Sequence, residues 1–126
     1  MSATANIANV ANIHKTHKTH EILVELDQEN NYVVAHFPGP LKLGETVRCH
    51  TDTVGGVVEI YFNVNGSPFL NLDGSAKTEI DSNDLPLELK LPGNFIGRCY
   101  MTTPDGVVHT YNHTLPWIAG GNMVVK

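Results

Sequence analysis

Seven histidines and two cysteines carry most of the chemistry this chain could perform. His14, His17 and His20 follow one another at intervals of three, which brings their imidazoles close together on a helix or along a threefold extended edge. Neutral imidazole binds Zn, Cu or Ni, so the trio is a candidate metal site or a pH-dependent contact. Its plainer reading is a solvated polar linker. In "FIGRCYM", Phe95, Gly97, Cys99 and Met101 share one face of a strand, and Ile96, Arg98 and Tyr100 share the other. A face of Phe, Gly, Cys and Met points inward, and free cysteine is among the most buried residue types. Cys99 therefore reads as a core thiol. A disulfide to Cys49, which alternates with Val47 on "TVRCH", and a metal or reactive role are the alternatives. His109 and His113 share a face if their strand continues that far, and with His50 they could form a rim site.

Catalytic motifs are missing from the sequence. It contains no glycine-rich phosphate loop, no HExxH and no G-x-S-x-G nucleophile elbow. Ser67 precedes a proline in a turn-like segment, and Asp73, Glu79, Asp81 and Asp84 fall in polar, loop-like sequence where solvation is the default. The expectation is a protein that is not an enzyme.

These residues are positioned by a tail and a body. Residues 5–20 repeat with an unbroken period of three, ANI-ANV-ANI-HKT-HKT-H. Ile7, Val10 and Ile13 form a short apolar stripe that needs a surface to pack on, because an isolated helix containing Asn6, Asn9 and Asn12 is marginal. The stripe is a candidate contact to the protein's own body or to a second copy. From Glu21 onward the sequence is that of β-structure. "EILVEL" and "NYVVAHF" flank a polar hairpin connection, and "ETVRCHT" and "VVEIYFNV" flank a Gly55-Gly56 turn. "LELKL" alternates strictly, and Thr103-Pro104-Asp105-Gly106 is a tight reversal between two further strands. A short strand is expected near residues 76–80, and "NMVVK" closes the chain. Eight or nine short strands with no convincing helix beyond the tail indicate an all-β sandwich, antiparallel or mixed. Trp117, the only tryptophan, either closes the end of the core or anchors an interface.

Composition narrows the partners. With 126 residues the chain makes one domain, 21–126, preceded by the tail 1–20, and needs neither metal nor disulfide to fold. The net charge is −5, and the 8 basic residues are scattered along the chain. Nucleic acid or an anionic membrane would require a concentrated basic face. The sequence has no apolar run near the roughly 20 residues of a membrane span, and no signal-type apolar stretch of roughly 7–15 residues. With the opening "MSATA", this gives a cytoplasmic expectation.

The order "GETVRCH", "VVEIYFNVNGSPF", "LPGNFIGRC" and terminal "GGNMVVK" resembles the cupredoxin-type Greek-key sandwich, over most of the chain from Glu21 to Lys126. A blue copper site in that family takes a thiolate, two imidazoles and a weak axial thioether. Its second histidine and methionine follow the cysteine on one short loop. Here Cys99 is followed by "YMTTPDGVV" and the next histidine is His109. Where the resemblance would put the first histidine, the chain has Asn65-Gly66-Ser67-Pro68-Phe69. The likeness is therefore to the branch that lacks the copper ligands. It implies a cupredoxin-like, metal-free domain without a cofactor, and with the apolar stripe of the tail the expectation is a non-catalytic interaction or assembly module that contacts a protein partner or a second copy through the tail. Two other functions stay open: a copper- or zinc-binding or electron-transfer protein with an atypical Cys/His site, and carbohydrate or small-ligand binding by the loops at the sandwich ends.

Overall fold

Side chains that alternate along short β-branched and aromatic runs can bury one face of a strand and leave the other in water. The computed structural model, which describes residues 18–29, 31–111 and 121–126, turns this pattern into two sheets. The described residues form nine strands and no helix. The strands are β1 (Thr19–Asp27), β2 (Tyr32–His36), β3 (Thr46–His50), β4 (Val57–Tyr61), β5 (Glu79–Asp81), β6 (Leu87–Glu88), β7 (Gly93–Thr102), β8 (Val108–Thr110) and β9 (Gly121–Val125). One sheet runs β2-β1-β3-β6; the other runs β5-β4-β7-β8, with β9 also paired to β7. All pairings are antiparallel except β1 with β3.

The expected β1–β2 hairpin forms, with Leu23 opposite His36 and Asp27 opposite Tyr32. The Gly55 turn does not make a hairpin: β3 and β4 belong to different sheets, so the turn carries the chain across the core. The strand anticipated near residues 76–80 is realised as Glu79–Asp81, preceded by a Leu70–Ala76 bridge. In "LELKL" only Leu87–Glu88 is strand; Leu89 is buried, but Leu91 lies exposed. β1 begins at Thr19, so Thr19 and His20, assigned to the tail from sequence, are part of the first sheet. The extended ladder continues there because Thr19 and His20 pair with Thr46 and Val47 of β3.

The core lies between the sheets. Ile22, Val24, Val33, Val47 and Cys49 meet Val58, Ile60, Ile80, Phe95, Cys99, Met101, Met123 and Val125 in one cluster. Each large aliphatic or aromatic side chain so buried contributes about 1.5–3 kcal/mol of transfer free energy. Further contacts lace the margins together: Val33 bridges to Tyr111, and Leu41 bridges to Val125. The Pro-Asp-Gly reversal forms as its residues require, with Gly106 at φ 85° and its N–H donating to the Thr103 carbonyl at 2.9 Å. Asp105 Oδ1 accepts from the Thr103 hydroxyl and fixes the turn from the side.

Gly97 is the tightest point of the core. A Cβ there would lie 2.9 Å from Phe37 Cζ, 3.0 Å from Ile60 Cγ2 and 3.1 Å from Phe62 Cε1. Backbone entropy alone would favour alanine. Overpacking reverses the sign, and Gly97→Ala is expected to cost about 1–3 kcal/mol. Urea unfolding of the variant measures this; equal or greater stability would show that the two sheets have room to separate.

Candidate functional site

Both cysteines are free thiols and both are buried. Cys99, on β7 opposite Ile60, is 0% exposed, and its Sγ lies 4.0 Å from the Gly97 carbonyl. Burial pushes the Cys49 thiol up to about 12, with Asp81 and Asp84 adding to the effect. Burial also raises Cys99, with Cys49 as the second cause. Thiols held in the protonated form are poor nucleophiles and poor metal ligands. The strand runs past Cys99 as the sequence suggests, and Met101 pairs with His109 across the β7–β8 hairpin.

The place where the resemblance would put a first histidine ligand is occupied by a structural clamp. Asn65 Oδ1 accepts from the Ile96 N–H at 3.1 Å, and its Nδ2 donates to the Asn94 carbonyl at 2.8 Å. Ser67, 2% exposed, donates to the Lys77 carbonyl at 2.6 Å and accepts from the Phe69 N–H at 3.1 Å. Both side chains are committed to holding backbone, Asn65 that of β7 and Ser67 that of the loop around it.

The described histidines His20, His36, His50 and His109 each stand beside a different partner. Of the proposed trio, His14 and His17 lie outside the described residues, as do Ile7, Val10, Ile13, His113 and Trp117. His20 Nε2 stands 3.2 Å from Glu45 Oε1. The Lys42 N–H, 2.8 Å from Glu45 Oε1, together with His20, holds the Glu45 carboxyl below the usual range against the opposing effect of burial. His50 Nε2 lies 3.3 Å from Glu21, and His109 Nε2 lies 3.5 Å from the Thr103 hydroxyl. No group of three or more His, Cys, Asp or Glu placed to hold a metal occurs among the described residues. His36 Nε2 meets Glu25 Oε2 at 2.9 Å. Sequence reasoning passed over this pair, although the hairpin register sets the two diagonally on one face.

The recess with the most varied chemistry lies on the outer face of the five-stranded sheet. Glu59 and Tyr61 of β4, Asn63 just beyond it, Arg98, Tyr100 and Thr102 of β7, and Val108 of β8 line a cleft of about 390 Å³. Period-two alternation puts them there: Ile60, Cys99 and Met101 point into the core, and their neighbours point out. The antiparallel register sets Tyr61 opposite Arg98, Glu59 opposite Tyr100 and Thr102 opposite Val108. Tyr61 and Tyr100 meet edge to face, centroids 5.5 Å apart at 84°, and Tyr100 meets Tyr111 at 6.1 Å and 71°. The Tyr61 hydroxyl donates to Glu59 Oε2 at 2.5 Å. That bond first, then burial and the Glu59 charge, raise the Tyr61 pKa well above the ordinary phenol value. Arg98 Nε is buried and has no hydrogen-bond partner among the described residues. Arg98, Glu59, Tyr61 and Tyr100 thus share one opening.

Comparison with family models, with curated proteins and with solved structures gives no match to this chain.

Because its folded-state pKa is raised, the Tyr61 phenol contributes stability in full below about pH 10, the value for an unfolded tyrosine, and loses it as pH rises toward the folded value. Glu59→Gln is expected to lower the ionisation pH of Tyr61, seen as earlier phenolate absorbance, and to bring alkaline unfolding to lower pH. An unchanged absorbance titration would mean that the Glu59 bond does not hold the phenol.

Proposed function

We propose that this protein is a metal-free, cupredoxin-like Greek-key sandwich acting as a non-catalytic binding module, which grips its ligand on the outer face of the five-stranded sheet. The observation that carries this reading is the cleft in which Arg98, Glu59, Tyr61 and Tyr100 converge. Its volume falls within the range of small-ligand sites, about 300–1,000 Å³. Two features favour binding over chemistry. The Tyr61 phenol is held in its protonated, hydrogen-bonding form, and the thiols that could attack a substrate are sealed in the core. The burial of Cys99 and the use of Asn65 as a clamp support the metal-free form over an atypical Cys/His metal or electron-transfer site. For ligand binding, the sheet face takes the place of the sandwich-end loops.

Isotope-labelled protein screened with neutral sugars, organic cations, carboxylates and short peptides tests the reading. At least one class is expected to shift backbone amide signals of β4 and β7, and Tyr100→Ala is expected to abolish the response. If no class moves those amides, or if every binder maps elsewhere, the sheet face is not the binding surface.

The period-three tail supports an additional role in assembly, through the apolar stripe of Ile7, Val10 and Ile13. Removal of residues 1–13 is expected to lower the molar mass measured by light scattering from that of an assembly to that of one chain. An unchanged mass would take the tail out of the contact.

A further inference from the structure

Asn65 is the only asparagine of the chain that is followed by glycine. That pair has a covalent reactivity of its own. The backbone nitrogen of the glycine can attack the side-chain amide carbon, forming an N–Cγ bond and closing an imide ring. The Cγ–Nδ2 bond breaks, and Nδ2 leaves as ammonia with the proton of the backbone N–H. Water then opens the ring at either carbonyl and leaves aspartate or isoaspartate. Water is the sole co-reactant, and nothing is oxidised or reduced. Glycine permits the attack most readily, because no Cβ shields its nitrogen.

The surroundings leave the reaction room. Asn65 and Gly66 are both exposed, so water reaches them. Gly66 sits at φ 106°, and a Cβ built there would have only Phe95 Cε1 near it, at 3.9 Å. What restrains the reaction is the clamp. Nδ2, the leaving group, donates to the Asn94 carbonyl at 2.8 Å, and Oδ1 accepts from the Ile96 N–H at 3.1 Å. An amide held at both of its polar atoms turns onto the Gly66 nitrogen only after both bonds open. Conversion is also one-way. A carboxylate has no hydrogen to give the Asn94 carbonyl, so acceptor would face acceptor, and isoaspartate would add a methylene to the main chain as well. From the Asn65-Gly66 pair and the two bonds that pin its amide, we infer that Asn65 is a site of spontaneous deamidation by water, held in check by its clamp to β7. Opening of the connection between β4 and β5 frees the amide for attack, and the product prevents the clamp from reforming. Each conversion adds one negative charge to a chain that already carries −5.

Incubation of the full-length protein in mildly alkaline buffer, folded and in concentrated urea, tests the assignment, with conversion followed by peptide mapping, isoaspartate detection and ion exchange. In urea, Asn65 is expected to convert ahead of every other asparagine. In the folded protein it is expected to convert about tenfold or more slowly, the factor supplied by two neutral hydrogen bonds that must open first. Ser67→Ala removes the hydroxyl that ties Lys77 to Phe69 in the same loop, and is expected to speed conversion in the folded protein while leaving the clamp atoms in place. If that variant does not fold, the native chain in urea below its unfolding transition serves, with the same acceleration expected. Asn65→Asp is expected to unfold at lower urea concentration than the native chain, because the Asn94 carbonyl loses its donor. Equal rates in folded and unfolded protein, or no acceleration when the loop is loosened, overturn the restraint by the clamp. Another asparagine converting first in urea overturns the choice of site. An Asn65→Asp variant as stable as the native chain overturns the one-way step.

Discussion

One strand, β7, carries both the core and the cleft, and the rest of the structure depends on its register. Phe95, Gly97, Cys99 and Met101 fill the space between the sheets, while Ile96, Arg98, Tyr100 and Thr102 face outward. Because side chains alternate with a period of two, a slip of one residue would put Arg98 and Tyr100 into the apolar interior and Cys99 into water. The cost of burying an unpaired guanidinium makes that slip prohibitive. Gly97 adds a second constraint, since Phe37, Ile60 and Phe62 close over its bare α-carbon and hold the sheets at a fixed separation. Binding chemistry on one side of the strand is therefore positioned by packing on the other.

The same arrangement accounts for the buried cysteines. Cys99 stands in the most protected part of the central strand, where loss of hydration disfavours the thiolate. The loop that approaches this end of the sandwich uses Asn65 to clamp the backbone of β7 and Ser67 to tie Phe69 to Lys77. These polar side chains satisfy backbone groups that a buried loop would otherwise leave unpaired. The loop is thus ordered by amide and hydroxyl groups.

Much of the fold was legible in the sequence because local rules decided it. The inward set of β7, the β1–β2 hairpin and the Pro-Asp-Gly reversal all follow from alternation and turn chemistry over a few residues. The failures are non-local. Nothing in "LELKL" says that its ladder partner, β3, matches only Leu87–Glu88, so the strict alternation overstated the strand. Nothing in the period-three repeat says that its last residues, Thr19 and His20, pair with Thr46 and Val47. The candidate site was half legible. Alternation put Arg98 and Tyr100 on one outward face and would have done the same for Glu59 and Tyr61. That the two faces adjoin depends on β4 pairing with β7, which follows it by more than thirty residues, and not with the preceding β3. The histidine spacing likewise carried no sign that His20 belongs to a strand and stands beside Glu45, a contact made across the sheet.

The margins of the sheets have a consequence for how the protein behaves at high concentration. β6 offers two residues and β5 three, and β5 turns the carboxylates of Glu79 and Asp81 outward along its flank. Brief, negatively charged borders make poor templates for a further strand from another molecule. With the −5 charge of the whole chain adding repulsion, these two margins resist the edge-to-edge stacking from which fibrils grow.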